Sequence, residues 1–298
     1  MSIEVLAESL KFPEGPIVLP DGSVILVEID GGSLTRVWKG RREVIAHLGG
    51  GPNGAAIGPD GAIYVCNNGG GITRGAGKVE RGRIERVDIS TGKFERVYET
   101  IGEHFLSAPN DLVFDRDGGF WFTDLAKSYE RTRDLSGVYY AKPDGSRITE
   151  ISYGGTGYNG IGLSPDEKTV FVAETYTGRL VAFDLAGPGA VVKGGRGGRH
   201  VAGFAERRAL DSMAVQQNGK ICVGAINFGK EFGGILTVTP DGASSTLTGF
   251  DDQMVTNICF GGEDMRDAYI TLSNTGRLVK TRWPEPGLKL NYNPYPTM

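Results

Sequence analysis

Long apolar runs, sulfur chemistry, clustered imidazoles and an excess of positive charge are all missing from this 298-residue chain, and each shortage removes a class of function. No stretch approaches the ~20 apolar residues of a membrane-crossing helix. The N-terminal stretch lacks a signal-peptide core, so the cytoplasm is the expected compartment. A formal net charge of −4 argues against nucleic acid or an anionic membrane as a partner. The three cysteines, Cys66, Cys222 and Cys259, are odd in number, lie in apolar strands and show no CxxC spacing, so they read as small buried hydrophobes. The three histidines, His47, His104 and His200, are far apart and form no HExxH-type pair. His104 lies in a long insertion and reads as a surface or lid histidine. The glycine-rich stretch 186–200 has no GxxxxGK[ST] and no helical pattern after it. It reads as a flexible loop whose Lys193, Arg196 and Arg199 could shade a nearby mouth electrostatically.

What the chain does have is a repeat. Six times a short polar anchor precedes an apolar alternation, a turn rich in Pro, Asp or Gly, and a second apolar strand. The units begin PEGPIVLPDGSVILV at Pro13, PNGAAIGPDGAIYV at Pro52, PNDLVFDRDGGFWF at Pro109, YNGIGLSPDEKTVFV at Tyr158, LDSMAVQQNGKICV at Leu210 and VTNICFGGEDMRDAYI at Val255. They stand 39, 57, 49, 52 and 45 residues apart, a spacing that with about four strands per unit indicates propeller blades. The period of 2, as in Ile17 and Leu19 or Ile161 and Leu163, suits half-buried strands. Glycine, 47 of 298 residues, supplies the many tight turns. The sixth unit lacks a fourth strand after Trp283, and IEVLAESL at the N-terminus could supply it, leaving no free edge. The expected fold is an all-β, six-bladed β-propeller, one domain over residues 1–298.

In a propeller each innermost strand starts at the rim of the central channel, so equivalent letters of the six units converge. These letters are Glu14, Asn53, Asn110, Asn159, Asp211 and Thr256, the last being the least polar. The next strand returns to the same face, which predicts an outer rim of Glu28, Asn67, Asp124, Glu174 and Asn227. Turn preference accounts for a single Asn-Gly. It does not account for Glu14, nor for the seven-residue spacing from every anchor to the next turn's Asp, Asn or Glu. No Lys or Arg occupies an anchor to neutralise the acids. Two carboxylates and three amides in a water-poor funnel are costly unless something binds them, and a cation is the expected occupant. Their oxygens, without thiolate or imidazole, suit Ca²⁺ first and Mg²⁺ or Mn²⁺ next, with zinc or iron also open. Two formal negative charges would leave such a site neutral and able to accept water or substrate.

The anchors PEGP, PND, YNG and LDSM in that order, with VAETYTGRL after the fourth, resemble the SMP-30/gluconolactonase/LRE-like family, from about Phe12 to the tail GLKLNYNPY. The resemblance implies a six-bladed propeller holding one divalent metal at the top of the channel. It assigns Glu14, Asn159 and Asp211 as ligands and Asn110 as a further contact to metal or substrate. The implied reaction is hydrolysis of a sugar lactone, with the metal polarising the carbonyl and Asp211 assisting water. Asn53 and Asn110 would bind substrate hydroxyls, with Asp124 and Tyr158 as further candidates. Two departures stand out: Ser212 replaces the frequent Gly after the fifth anchor, and Ala108 replaces the Arg with which regucalcins hold substrate hydroxyls. Hydrolysis of other esters or phosphotriesters at the same metal, and a non-catalytic ligand-binding propeller, remain open. The chain is expected to act as a monomer or weak homodimer.

Overall fold

Six antiparallel sheets stand around one axis, and the chain closes the circle with its own beginning. Ile3–Ala7 pairs with Arg277–Arg282 and becomes the outermost strand of the last blade, whose other strands are Val255–Gly261 and Asp267–Leu272. The structure is a computed structural model that describes residues 2–71, 79–192, 197–204, 208–229 and 231–294. Every regular element among the described residues is a strand, and none of these residues forms a helix able to cross a membrane. The architecture is the six-bladed β-propeller that the repeat predicts.

The innermost strands are Pro13–Val18, Pro52–Ile57, Pro109–Phe114, Tyr158–Leu163, Arg208–Val215 and Val255–Gly261. Three begin with proline, which costs no ladder hydrogen bond at a strand's first residue. These strands, and the second strands beside them, are buried along almost their whole length. The half-buried strand expected from the alternation is therefore found only toward the outside, as in Arg41–His47 and Phe94–Tyr98. The reason is stacking: each blade lies face to face with two neighbours, so its inner half has no solvent side. Trp121 and Tyr140 of the third blade pack with Val172 and Phe183 of the fourth, and Cys222 and Ile235 of the fifth pack with Ile258 and Ile270 of the sixth. Cys66 and Cys222 are buried and Cys259 is partly buried, as small hydrophobes should be.

The last part of the chain crosses the end of the channel opposite the anchors. Leu288 N donates to Val215 O (2.9 Å), Asn291 Nδ2 to Phe114 O (3.1 Å), and Tyr292 stacks edge-on against Phe114. Residues 288–291 and Asn293 thereby line the far end of a small cavity of about 90 Å³ lying beneath the anchor ring. Lys193 and Arg196 of the glycine-rich stretch lie outside the described residues. Arg199, which is described, is half-exposed and paired to Asp184 at 3.3 Å.

Candidate functional site

All six innermost strands break register just after the anchor. Between Glu14 and Ile17 the facing strand advances only from Val27 to Ile25, and the same extra residue appears after Pro52, Pro109, Tyr158, Leu210 and Val255. A bulge of this kind lets two successive side chains address one side of a strand. The channel thus receives the letter after the anchor as well, namely Gly15, Gly54, Asp111, Gly160, Ser212 and Asn257. Small size there has a packing cause: a Cβ on Gly54 would stand 2.5 Å from the Asn110 carbonyl oxygen, and one on Gly160 2.4 Å from that of Asp211. Neighbouring strands approach too closely at these points for any side chain.

Above the ring opens a cleft of about 910 Å³ whose lining includes Glu14, Asn53, Asn110, Asn159 and Asp211. Five of the six anchor letters are therefore brought together. The sixth, Thr256, does not line the cleft: its hydroxyl bonds to Thr271 Oγ1 (2.8 Å) and Ser273 Oγ (2.5 Å) and lies against the Glu14 carboxylate. Its neighbour Asn257 reaches the ring as well and donates from Nδ2 to Glu14 Oε2 (2.7 Å), which also accepts from Gly15 N (2.8 Å). Glu14, Asn110, Asn159 and Asp211 are between 2 % and 8 % exposed. The Oδ1 atoms of Asn110 and Asn159 are buried and accept no hydrogen bond from the protein. Such orphans are rare in folded proteins and call for an occupant.

The expected outer rim is not a rim of free ligands. Asp124 accepts from Ser107 N and Ala108 N (both 2.7 Å) and from Ala126 N (2.9 Å). Glu28 accepts from Lys11 N (2.7 Å), Asn67 Oδ1 from Gly51 N (2.9 Å) and Glu174 from Thr156 N (2.8 Å). In four blades, then, the end of the second strand clamps the chain entering that blade's first strand. Asn227 caps its own loop at Gly229 N (2.8 Å). Asp124 is accordingly placed away from the cleft, and so is Tyr158, which packs among Trp121, Val138 and Val172 between two blades. His104 is exposed in a two-residue hairpin strand outside the site.

Sequence reasoning missed Asp111, a third carboxylate at the ring, and Asn257. Both were visible as polar letters in the column after the anchors; only the bulge turns that column toward the channel. Asp111 accepts from Leu112 N (2.9 Å). Burial pushes its carboxyl up to about 7, with the charge of Glu14 adding to the effect. Burial likewise raises Glu14 to about 6, against the pull of the Asn257 amide and the Gly15 N–H. Asp211 is pushed well above the usual carboxylate range, first by burial and then by Glu14. Three acids in a dry ring oppose one another's ionisation.

A hard divalent cation fits this donor set. It would satisfy the two orphaned amide oxygens and offset the like charges, inverting the local preference for protonation. Among the described residues no three Asp, Glu, His or Cys side chains gather closely enough to hold an ion alone, so amide oxygens must complete the set.

The SMP-30/Gluconolactonase/LRE-like region pattern matches residues 12–274, the span that holds every anchor. A gluconolactonase of Zymomonas mobilis is 27 % identical over 310 residues, covering 94 % of this chain and 81 % of that protein. Among solved structures, a gluconolactonase from Xanthomonas campestris superimposes with a TM-score of 0.75 at 22 % identity, covering 95 % of this chain and 89 % of the other. The calcium-binding regucalcin of Agrobacterium tumefaciens gives a TM-score of 0.74 at 17 % identity, covering 97 % and 98 %. At those identities the two structures establish the propeller alone. The sequence match over most of the chain establishes more: this protein belongs to the SMP-30/gluconolactonase/LRE-like family.

Proposed function

We propose that the protein is a divalent-metal-dependent hydrolase that opens a lactone to the hydroxy acid. The observation that carries this reading is the pair of buried, unpartnered amide oxygens on Asn110 and Asn159 beside the carboxylates of Glu14 and Asp211. Gluconolactonase activity in the Zymomonas mobilis relative supports the reaction class and puts an aldonolactone first among rings to assay.

Glu14, Asn110, Asn159 and Asp211 would hold the cation, with calcium foremost for a set made only of oxygens. When bound, such an ion supplies Lewis-acid polarisation of the lactone carbonyl. Asp211, at 8 % exposure the most open of the ring carboxylates, holds water against the carbonyl carbon and takes its proton as general base. The water oxygen bonds to that carbon, the bond from the carbonyl carbon to the ring oxygen breaks, and the proton passes to the departing oxygen. Asn53, on the same floor, orients the ring through its amide.

The test is acid release from glucono-δ-lactone and a panel of other lactones and esters, before and after chelation and with single metals returned. Loss on chelation and recovery with a divalent ion are the expected results. Undiminished turnover in chelator would remove the metal from the reaction. No turnover on any ester with any ion would leave a ligand-binding propeller.

A further inference from the structure

The cleft over the ring is built in two chemistries. Its floor is polar, as described above. Its walls are supplied largely by Phe12, Ile29, Leu125, Tyr176, Ile226 and Phe228. Polar side chains also line the walls, Lys11, Asp30 and Asn274 among them, and three others each give a donor to the backbone. Thr175 Oγ1 donates to Leu210 O (2.7 Å), Ser273 Oγ to Pro13 O (2.7 Å) and Gln253 Nε2 to Gly229 O (2.6 Å). A ring bearing hydroxyls on successive carbons needs a partner for each when it leaves water, and unmatched polar groups are what such a pocket rejects.

Two aromatic side chains are placed as if to receive something. Phe228 lines the cleft yet is 67 % exposed, far more than a side chain with a packing role. Tyr176 lines it too, and its ring is held in position from two sides. The Arg133 guanidinium lies 3.5 Å from the ring centroid, and Gly157 leaves so little room that a Cβ there would stand 2.3 Å from Tyr176 Cδ2. The volume of about 910 Å³ is at the upper end for pockets that enclose whole ligands of drug size, well beyond a bare six-membered lactone.

We infer that the preferred substrate is an amphipathic lactone, its ester group on the polar floor and an apolar alkyl or aryl substituent against Tyr176 and Phe228, and that a fully hydroxylated aldonolactone is the poorer substrate. This rests on the lactonase reading above and specifies which lactones that site selects.

The experiment compares kcat/KM of the metal-loaded protein on δ-valerolactone, on δ-lactones carrying butyl or phenyl groups, and on glucono-δ-lactone. A fully buried methylene is worth about fourfold, so a substituent partly covered by an open wall should raise kcat/KM on the order of tenfold over the unsubstituted ring. The gain should appear mainly in KM. Phe228→Ser and Tyr176→Ala should each cut the ratio of substituted to unsubstituted kcat/KM by roughly threefold or more, and Tyr176→Phe should restore it. Because Phe228 is exposed, its variant tests the wall without disturbing the core. Equal or higher kcat/KM on glucono-δ-lactone, or a ratio unmoved in both variants, overturns the inference while leaving the lactonase reading intact. Failure to open any of the lactones with any divalent ion overturns that reading, and this inference with it.

Discussion

Two sets of Asn, Asp and Glu stand at the same end of this propeller, one strand apart, and their polar atoms are treated in opposite ways. At the ends of the second strands, Glu28, Asn67, Asp124 and Glu174 are met by backbone N–H groups of the segments entering their own blades. At the starts of the first strands, Asn110 and Asn159 keep buried oxygens that nothing in the protein meets, while burial raises acids in both sets, Asp124 as well as Glu14 and Asp211. Residue type and burial are nearly the same in the two sets. What separates a scaffold from a site is whether the hydrogen-bonding capacity has been used up.

The sharpest way to break this comparison is to remove a charge from the inner ring. Glu14→Gln and Asp211→Asn should each lower kcat/KM by on the order of 10³-fold or more. The melting temperature should hold or rise, since each change relieves a dry ring of one like charge. Near-wild-type kinetics at saturating metal would show that the ring is not where the chemistry occurs.

Asp124→Ala is the mirror experiment. Leaving the N–H groups of Ser107, Ala108 and Ala126 unmet should cost about 2–4 kcal/mol of unfolding free energy by denaturant titration. Metal affinity measured below the melting transition should stay within about threefold. A large loss of affinity without loss of stability would return Asp124 to the binding machinery.

Asn159→Ala sharpens the contrast from the other side. In metal-free protein it deletes an acceptor that has no partner together with an amide that bonds the Asp211 carboxylate, so stability should fall by no more than about 1.5 kcal/mol. Metal affinity by calorimetry should fall at least about tenfold. A destabilised apo-protein with unchanged affinity would make Asn159 a structural residue like Asp124.

The two sets also differ in what pH does to the ring. Glu14 and Asp111 are raised in the folded chain to about 6 and about 7, from 4.5 and 3.8. The folded state therefore binds more protons than the unfolded one between those limits, and metal-free stability falls as pH rises through that window. The contribution is fully present below pH ~4 and lost above pH ~7. A bound cation should reverse the slope, because it favours ionised ligands. Melting curves from pH 4 to 8, with chelator and with calcium, should therefore diverge toward high pH; parallel curves would mean that the ion binds elsewhere.

Much of this was legible without coordinates. Anchors recurring every 39 to 57 residues, with a turn and a second apolar strand after each, demand blades, because no single four-stranded unit buries its own faces. The missing last strand of the sixth unit and the spare N-terminal one demand ring closure, and Ile3–Ala7 provides it. Glu14, Asn53, Asn110, Asn159 and Asp211 follow from the same periodicity, since equivalent positions of a closed ring meet at its axis. Three things were decided only in space. The bulge after each anchor brought Asp111 and Asn257 to the channel, against the strict alternation that a sequence pattern assumes. The N–H groups ahead of the first strands came within bonding distance of Asp124 and its equivalents, so a predicted rim became a set of clamps. Tyr158 turned between two blades to fill a gap left by Gly155. Sequence sets which groups can form hydrogen bonds and at what interval they recur, but whether a buried oxygen is already satisfied depends on distances of a few tenths of an ångström, and only the packed chain determines those.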